Sequence, residues 1–249
     1  MKILFSPSEK KLTHHPAQIP SKNDFYQDLI AKDSLKNIIT QYEGYLKKST
    51  DSAIQKLFGK KTLSLEVLRL CQNLSTSPLL SAILRYCGTA YEALDFETLK
   101  KSQQDYLQEK VLIFSNLFGL LRPYDKIPYY DLMQGEGFLD FETKKFYKAH
   151  QEQFLGFLEG EILDLRAGFY QKCLTLGNDF QVYEPVFIKG GKVVSHYAKY
   201  YRGILLRECA KSQIPNPKAL FKLKIQGLSY PRIQNLNNTK IRIFYEVLN

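Results

Sequence analysis

Val111-Leu112-Ile113-Phe114-Ser115 puts four apolar residues in a row before a serine. A short, unbroken apolar run bounded by turn residues fits a buried strand. Two similar runs flank it in the chain, Lys2-Ile3-Leu4-Phe5-Ser6 and Ile162-Leu163-Asp164-Leu165. Each gives way at once to polar or turn-forming residues. These are Ser6-Pro7-Ser8-Glu9-Lys10-Lys11 after the first run, Asn116 to Asp125 after the second, and Arg166-Ala167-Gly168 after the third. Between the runs the apolar residues recur at helical spacing. Phe25, Leu29, Leu35, Ile38, Ile39, Tyr42 and Leu46 mark one helix over about 24–48. The order strand, polar turn, helix predicts an α+β fold: a single domain over 1–249, with a mixed sheet and surrounding helices.

Other helices are expected within 51–75, at 79–84, at 91–94, over 96–109 and over 144–160. In the last quarter, 182–188 reads as a strand and Lys189-Gly190-Gly191-Lys192 as a hairpin turn returning through Val193 to His196. A helix follows over 198–211. The segments 221–229 and 240–247 alternate as strands, with a loop at 231–239 between them.

The charge is one-sided. Residues 185–249 hold 12 Lys and Arg against Glu208 and Glu246, a net +10 that equals the formal charge of the whole 249-residue chain. The first 184 residues are therefore neutral. Gathered positive charge attracts polyanions such as nucleic acid, phosphorylated small molecules or anionic lipid. No run reaches the 18 apolar residues of a membrane span. Cys71, Cys87, Cys173 and Cys209 are scattered, as are the four histidines, so no metal site and no cofactor are expected. Free thiols and the lack of a leader-like N-terminus predict a soluble, cytoplasmic protein, taken as a monomer.

Four constellations carry potential chemistry. Glu9 and Lys11 follow the first strand, where a sheet presents polar groups to a cleft. A capped turn explains them as well. Arg122, Asp125, Tyr129 and Tyr130 crowd a proline-punctuated loop, and an Arg–Asp pair holding that loop is an equal reading. Asp164 ends the third strand, where it could orient a base or cap the next turn. Ser195-His196-Tyr197-Ala198-Lys199-Tyr200-Tyr201-Arg202 carries the strongest signal. Lys199 and Arg202 share a helical face at a helix start, where the dipole disfavours cations. A bound anion would resolve that conflict.

The strings FSPSEKK at 5–11, YEAL at 91–94, FSNLFGLLRPYDKIPYY at 114–130, DLRAGFY at 164–170 and VVSHYAKYYRG at 193–203 together resemble the YaaA family of bacterial proteins. The likeness spans nearly the whole chain. It implies a cytoplasmic protein of the peroxide-stress response that limits free iron and oxidative DNA damage. It also implies DNA binding through a positive cleft, on a family fold that includes a helix-hairpin-helix element. Such a hairpin offers backbone N–H groups to a phosphate without reading bases. Its best local fit is Asn116 to Leu121, with Asn116 where many members resemble a glycine and with Gly119 retained. Asparagine tolerates left-handed backbone better than other side chains. Some members read closer to SPAKT near the N-terminus, and a lysine at or near Lys11 fits both forms.

Two functions follow as expectations. In the first, the protein binds duplex or junction DNA by its backbone through Lys11, Asn116, Gly119, Arg122, Lys199 and Arg202. In the second, an enzyme acts on a phosphorylated or carboxylated small substrate, such as a nucleotide, with Glu9, Asp125, Asp164 and Ser195 as candidate catalytic groups. A deep, enclosed pocket favours the second and an open groove favours the first. Direct iron sequestration fares worst, because the scattered His and Cys form no ligand set.

Overall fold

The three apolar runs lie side by side in the computed structural model, which describes residues 1–194 and 197–248. They form β1 (Lys2–Phe5), β2 (Val111–Ser115) and β4 (Glu161–Leu165), with β3 (Gly119–Leu121) between the last two in the chain. The basic quarter adds β5 (Gln181–Lys189), β6 (Lys192–Val193), β7 (Arg232–Asn235) and β8 (Lys240–Glu246). One mixed eight-stranded sheet results, in the order β7-β8-β5-β4-β1-β2-β3, with β6 paired to β5. The five strands from β8 to β2 run parallel, while β3, β6 and β7 pair antiparallel. β1 is central: Phe5 lies between Ile113 and Leu165. Every residue of β2 is buried, as are Ile3 to Phe5, which explains why these runs are apolar on both faces.

Helices surround the sheet. In α1 (Lys32–Lys48) the buried residues are Leu35, Ile38, Ile39, Tyr42 and Leu46. The predicted start at 24 is replaced by a 3-10 turn at Phe25–Asp28. α2 (Asp51–Phe58) is opened by Thr50, whose hydroxyl accepts the Ala53 N–H, and closed by left-handed Gly59. α3 (Leu65–Gln72), α4 (Thr89–Leu94) and α5 (Lys101–Lys110) follow. The helix expected over 144–160 is broken at His150 into Thr143–Ala149 and Gln151–Leu155. α6 (Gly168–Cys173) follows β4, and α7 (Ala198–Ser212) lies against α4. Gly203 makes that approach: a Cβ there would fall 2.0 Å from the Ala90 carbonyl oxygen.

Up to Ser212 the described residues of the basic quarter fold much as expected. Gly190 and Gly191 both take positive φ, 55° and 76°, in the β5–β6 hairpin. Beyond it two assignments are reversed. Residues 221–229 hold no strand, and Pro217–Lys222 is a 3-10 helix capped by Asn216. The strand falls instead at Arg232–Asn235, within the expected loop. All four of its residues are exposed, so the burial pattern that marks a strand is missing.

The second strand's turn also differs from expectation. Asn116 to Leu121 is not a helix-hairpin-helix element but the buried β2–β3 hairpin, with Ser115 paired to Gly119. Asn116 donates to the Leu132 carbonyl and accepts from the Tyr170 hydroxyl, both at 2.8 Å. Gly119, at φ 73°, lies under Phe154, where a Cβ would meet the ring at 2.7 Å. Neither Asn116 nor Gly119 can reach a DNA phosphate from there. The apolar Leu117, Phe118, Leu120 and Leu121 give the reason: hydrophobic burial turned this loop inward.

Candidate functional site

The connection leaving β1 leads toward β2, while that leaving β4 leads toward β5 on the other side. Adjacent parallel strands whose connections diverge leave a crevice at their carboxyl ends. A cavity of about 450 Å³ lies there, lined by the Ser6–Lys10 segment after β1 and by Leu165 and Ala167 after β4. Its other walls are Gly88 to Tyr91 at the start of α4, Tyr170, and Lys199 with Arg202 from the first turns of α7. Ser6 ties the two strand ends together. Its hydroxyl accepts the Ala167 N–H at 2.8 Å, and its carbonyl accepts the Tyr91 hydroxyl at 2.9 Å.

Lys199 and Arg202 thus reach the cleft as their spacing predicts. Arg202 is half-buried and, among the described residues, makes no hydrogen bond or ion pair. Burial lowers its pKa, partly offset by the attraction of Asp164 and Glu184. An unpaired, partly desolvated guanidinium at a cavity wall is poised to take an anion. Lys199 is exposed and equally unpaired among the described residues. Ser195 and His196 lie outside the described residues.

Glu9 stands exposed at the cleft edge, where its Oε1 accepts the Gln134 N–H at 3.4 Å. Lys11 does not join it. Residues 10–12 pair in extended form with 85–87, so neighbouring side chains point to opposite sides. Lys10 faces Glu92 on the surface. Lys11 turns inward, 8% exposed, into an adjoining pocket at the end of α2. It is therefore out of reach of a duplex.

Asp164 is no free base. Its carboxylate accepts from Arg166 Nε and Nη2, both at 2.8 Å, and from the Arg166 N–H at 3.0 Å. Arg166 then donates through Nη1 to the carbonyls of Tyr170 and Leu174 at the end of α6. The buried pair positions α6, and through it the Tyr170 wall of the cleft.

Arg122 and Asp125 lie at the wrong end of the sheet. β3 runs antiparallel to β2, so Leu121 pairs with Ile113 and the chain emerges beside the start of β2. Both residues line neither cavity. Asp125 instead holds the turn, its Oδ2 accepting the Arg122 N–H at 2.7 Å. Burial pushes the Asp125 carboxyl up to about 6. The folded chain thus keeps a proton that the unfolded chain has already released. The associated stability is full below the ordinary carboxylate range and is lost as pH rises through about 6. Thermal melts from pH 4 to 8 should show this decline, and Asp125→Asn should flatten it.

The chain matches the family described as peroxide stress protein YaaA over residues 1–233. The chain belongs to this YaaA family. A Campylobacter jejuni protein, named only as uncharacterized, is 42% identical across the full length of both chains. A UPF0246 protein of Neisseria meningitidis is 30% identical over 60% of this chain and 62% of its own. One of Burkholderia multivorans is 29% identical over 64% and 67%. The YaaA resemblance of the five strings is thereby established, and with it a family tied to peroxide stress.

For this YaaA-family chain, sequence reasoning missed Gly88–Tyr91 as a wall of the cleft, and Ser6 as its tie. The signal was present in Gly88, whose φ of 117° a side chain rarely takes. Among the described residues, no group of three or more His, Cys, Asp or Glu could hold a metal ion. None of the described helices is long and apolar enough to cross a membrane.

Proposed function

We propose that this YaaA-family protein acts in the cytoplasmic peroxide-stress response by binding the phosphate backbone of DNA. Two of the supporting cations, Lys199 and Arg202, line the cleft. One observation carries this reading: eight of the twelve cations in residues 185–249 have no ion-pair partner among the described residues. They are Lys189, Lys192, Lys199, Arg202, Lys218, Lys222, Lys224 and Arg232. Cations committed to carboxylates are neutralised, while these remain available to phosphates. Tyr197, Tyr200 and Tyr230 are exposed among them, and rings set between cations suit nucleic acid.

Duplex and junction binding should weaken steeply with salt. Replacing Lys199 and Arg202 together by alanine should lower the slope of log K against log salt by about two, one per lost phosphate contact. Binding by the double variant with an unchanged slope would refute the assignment of these two residues.

A second reading rests on the cleft itself. Its volume of about 450 Å³ at a divergence of parallel strands suits a phosphorylated small molecule, such as a nucleotide, held by Arg202. The same protein should be challenged with nucleotides in thermal melts. Stabilisation by a nucleotide, with no measurable affinity for DNA, would favour this reading over the first.

A further inference from the structure

The pocket at the end of α2 holds about 300 Å³ and adjoins the cleft, sharing Glu9 and Lys10 with it. Its wall is a cluster of titratable groups: Lys11, Lys60, Tyr129 and Asp131, with Glu9 at the rim. Lys60 is bound to the buried Asp131 carboxylate, which also accepts the Tyr129 hydroxyl at 3.0 Å. Lys11 is different. Its ammonium makes one hydrogen bond, to the Glu9 carbonyl at 3.0 Å, and lies 4.4 Å from the centre of the Tyr130 ring. Its other N–H groups make no hydrogen bond to a described residue, and the almost wholly buried side chain lines the pocket.

A desolvated amine facing a cavity, with a second cation nearby, has the surroundings of a nucleophile. We propose that Lys11 forms a Schiff base with a small aldehyde or ketone in this pocket. Burial lowers the Lys11 pKa, and Lys60 lowers it further, against the opposing pull of Asp131, Cys71 and Glu9. More of the neutral amine is thus present at neutral pH than on an exposed lysine.

The neutral Nζ adds to the carbonyl carbon, and the C=O π pair moves onto oxygen, which takes up a proton. The carbinolamine then loses its hydroxyl with a second proton as water, while the nitrogen lone pair closes the C=N bond. Both protons of that water originate on the amine. Asp131 and Tyr129, on the same wall, relay them. No oxidant or reductant is consumed.

The test uses the intact protein, glyoxylate and cyanoborohydride at pH 7, with the reduced adducts mapped by mass spectrometry. A lowered pKa leaves more neutral amine, so Lys11 should be labelled faster than Lys192 or Lys218. Lys11→Arg keeps the cation and should lose that adduct alone, with a thermal melt confirming the fold. Tyr129→Phe should slow labelling at Lys11 and leave the exposed lysines unchanged. Labelling of Lys11 no faster than Lys192 overturns the proposal. The DNA reading rests on other residues and survives that outcome.

Discussion

Asp164→Ala is expected to cost about 3–5 kcal/mol of stability, because it leaves a guanidinium buried without its counter-ion. Arg166 is 3% exposed, and Asp164 5%. The loss extends beyond the pair. Arg166 sits 5.0 Å from the centre of the Phe114 ring and donates to the two carbonyls that end α6, so a displaced guanidinium disturbs three elements together. Denaturant titration at neutral pH checks the figure. A double variant, Asp164→Ala with Arg166→Met, should recover much of the loss, because no charge then remains buried. If Asp164→Ala were as stable as the native chain while losing ligand binding, Asp164 would be a working base after all.

Gly203→Ala should lower the melting temperature by about 10 °C, from about 3 kcal/mol of overpacking in a chain of this size. The added Cβ meets backbone, not a movable side chain: 2.0 Å to the Ala90 oxygen and 2.8 Å to its carbon. α7 has to move away from α4. Lys199 and Arg202 ride on α7 and Gly88–Tyr91 on α4, so the cleft widens as the helices separate. DNA or nucleotide affinity should fall with stability, although residue 203 lines no part of the cleft. Gly44 is the control: a Cβ there meets nothing within 4 Å, and Gly44→Ala should leave both quantities near native.

The centre of the sheet was legible because burial on both faces demands unbroken apolar runs. Ile3 to Phe5, Val111 to Phe114 and Ile162 to Leu163 supply them. The exposed strand at Arg232–Asn235 was not, because nothing in its side chains reports which face is inward. At the site, a spacing of three on a helix brought Lys199 and Arg202 to one wall correctly. Arg122 and Asp125 misled because strand direction decides which end of a sheet a loop occupies, and β3 reverses direction after a buried turn. Lys11 misled by a single position. In extended chain the surface and the interior alternate, and Lys10 took the outer place. The family likeness of the five strings added what periodicity could not, namely that separated loops belong to one protein type.

The middle strand of the sheet is made well before both of its partners. β1 finds its partners about 110 and 160 residues downstream, at β2 and β4. This apolar segment therefore waits until residues 111–115 have been made before it can pair on one side, and until 161–165 on the other. Such long-range parallel pairing slows folding, and the waiting strand needs shelter from other exposed edges. Refolding from denaturant should accordingly be slow for a chain of this length, and more dependent on a chaperone at high concentration than its native stability suggests.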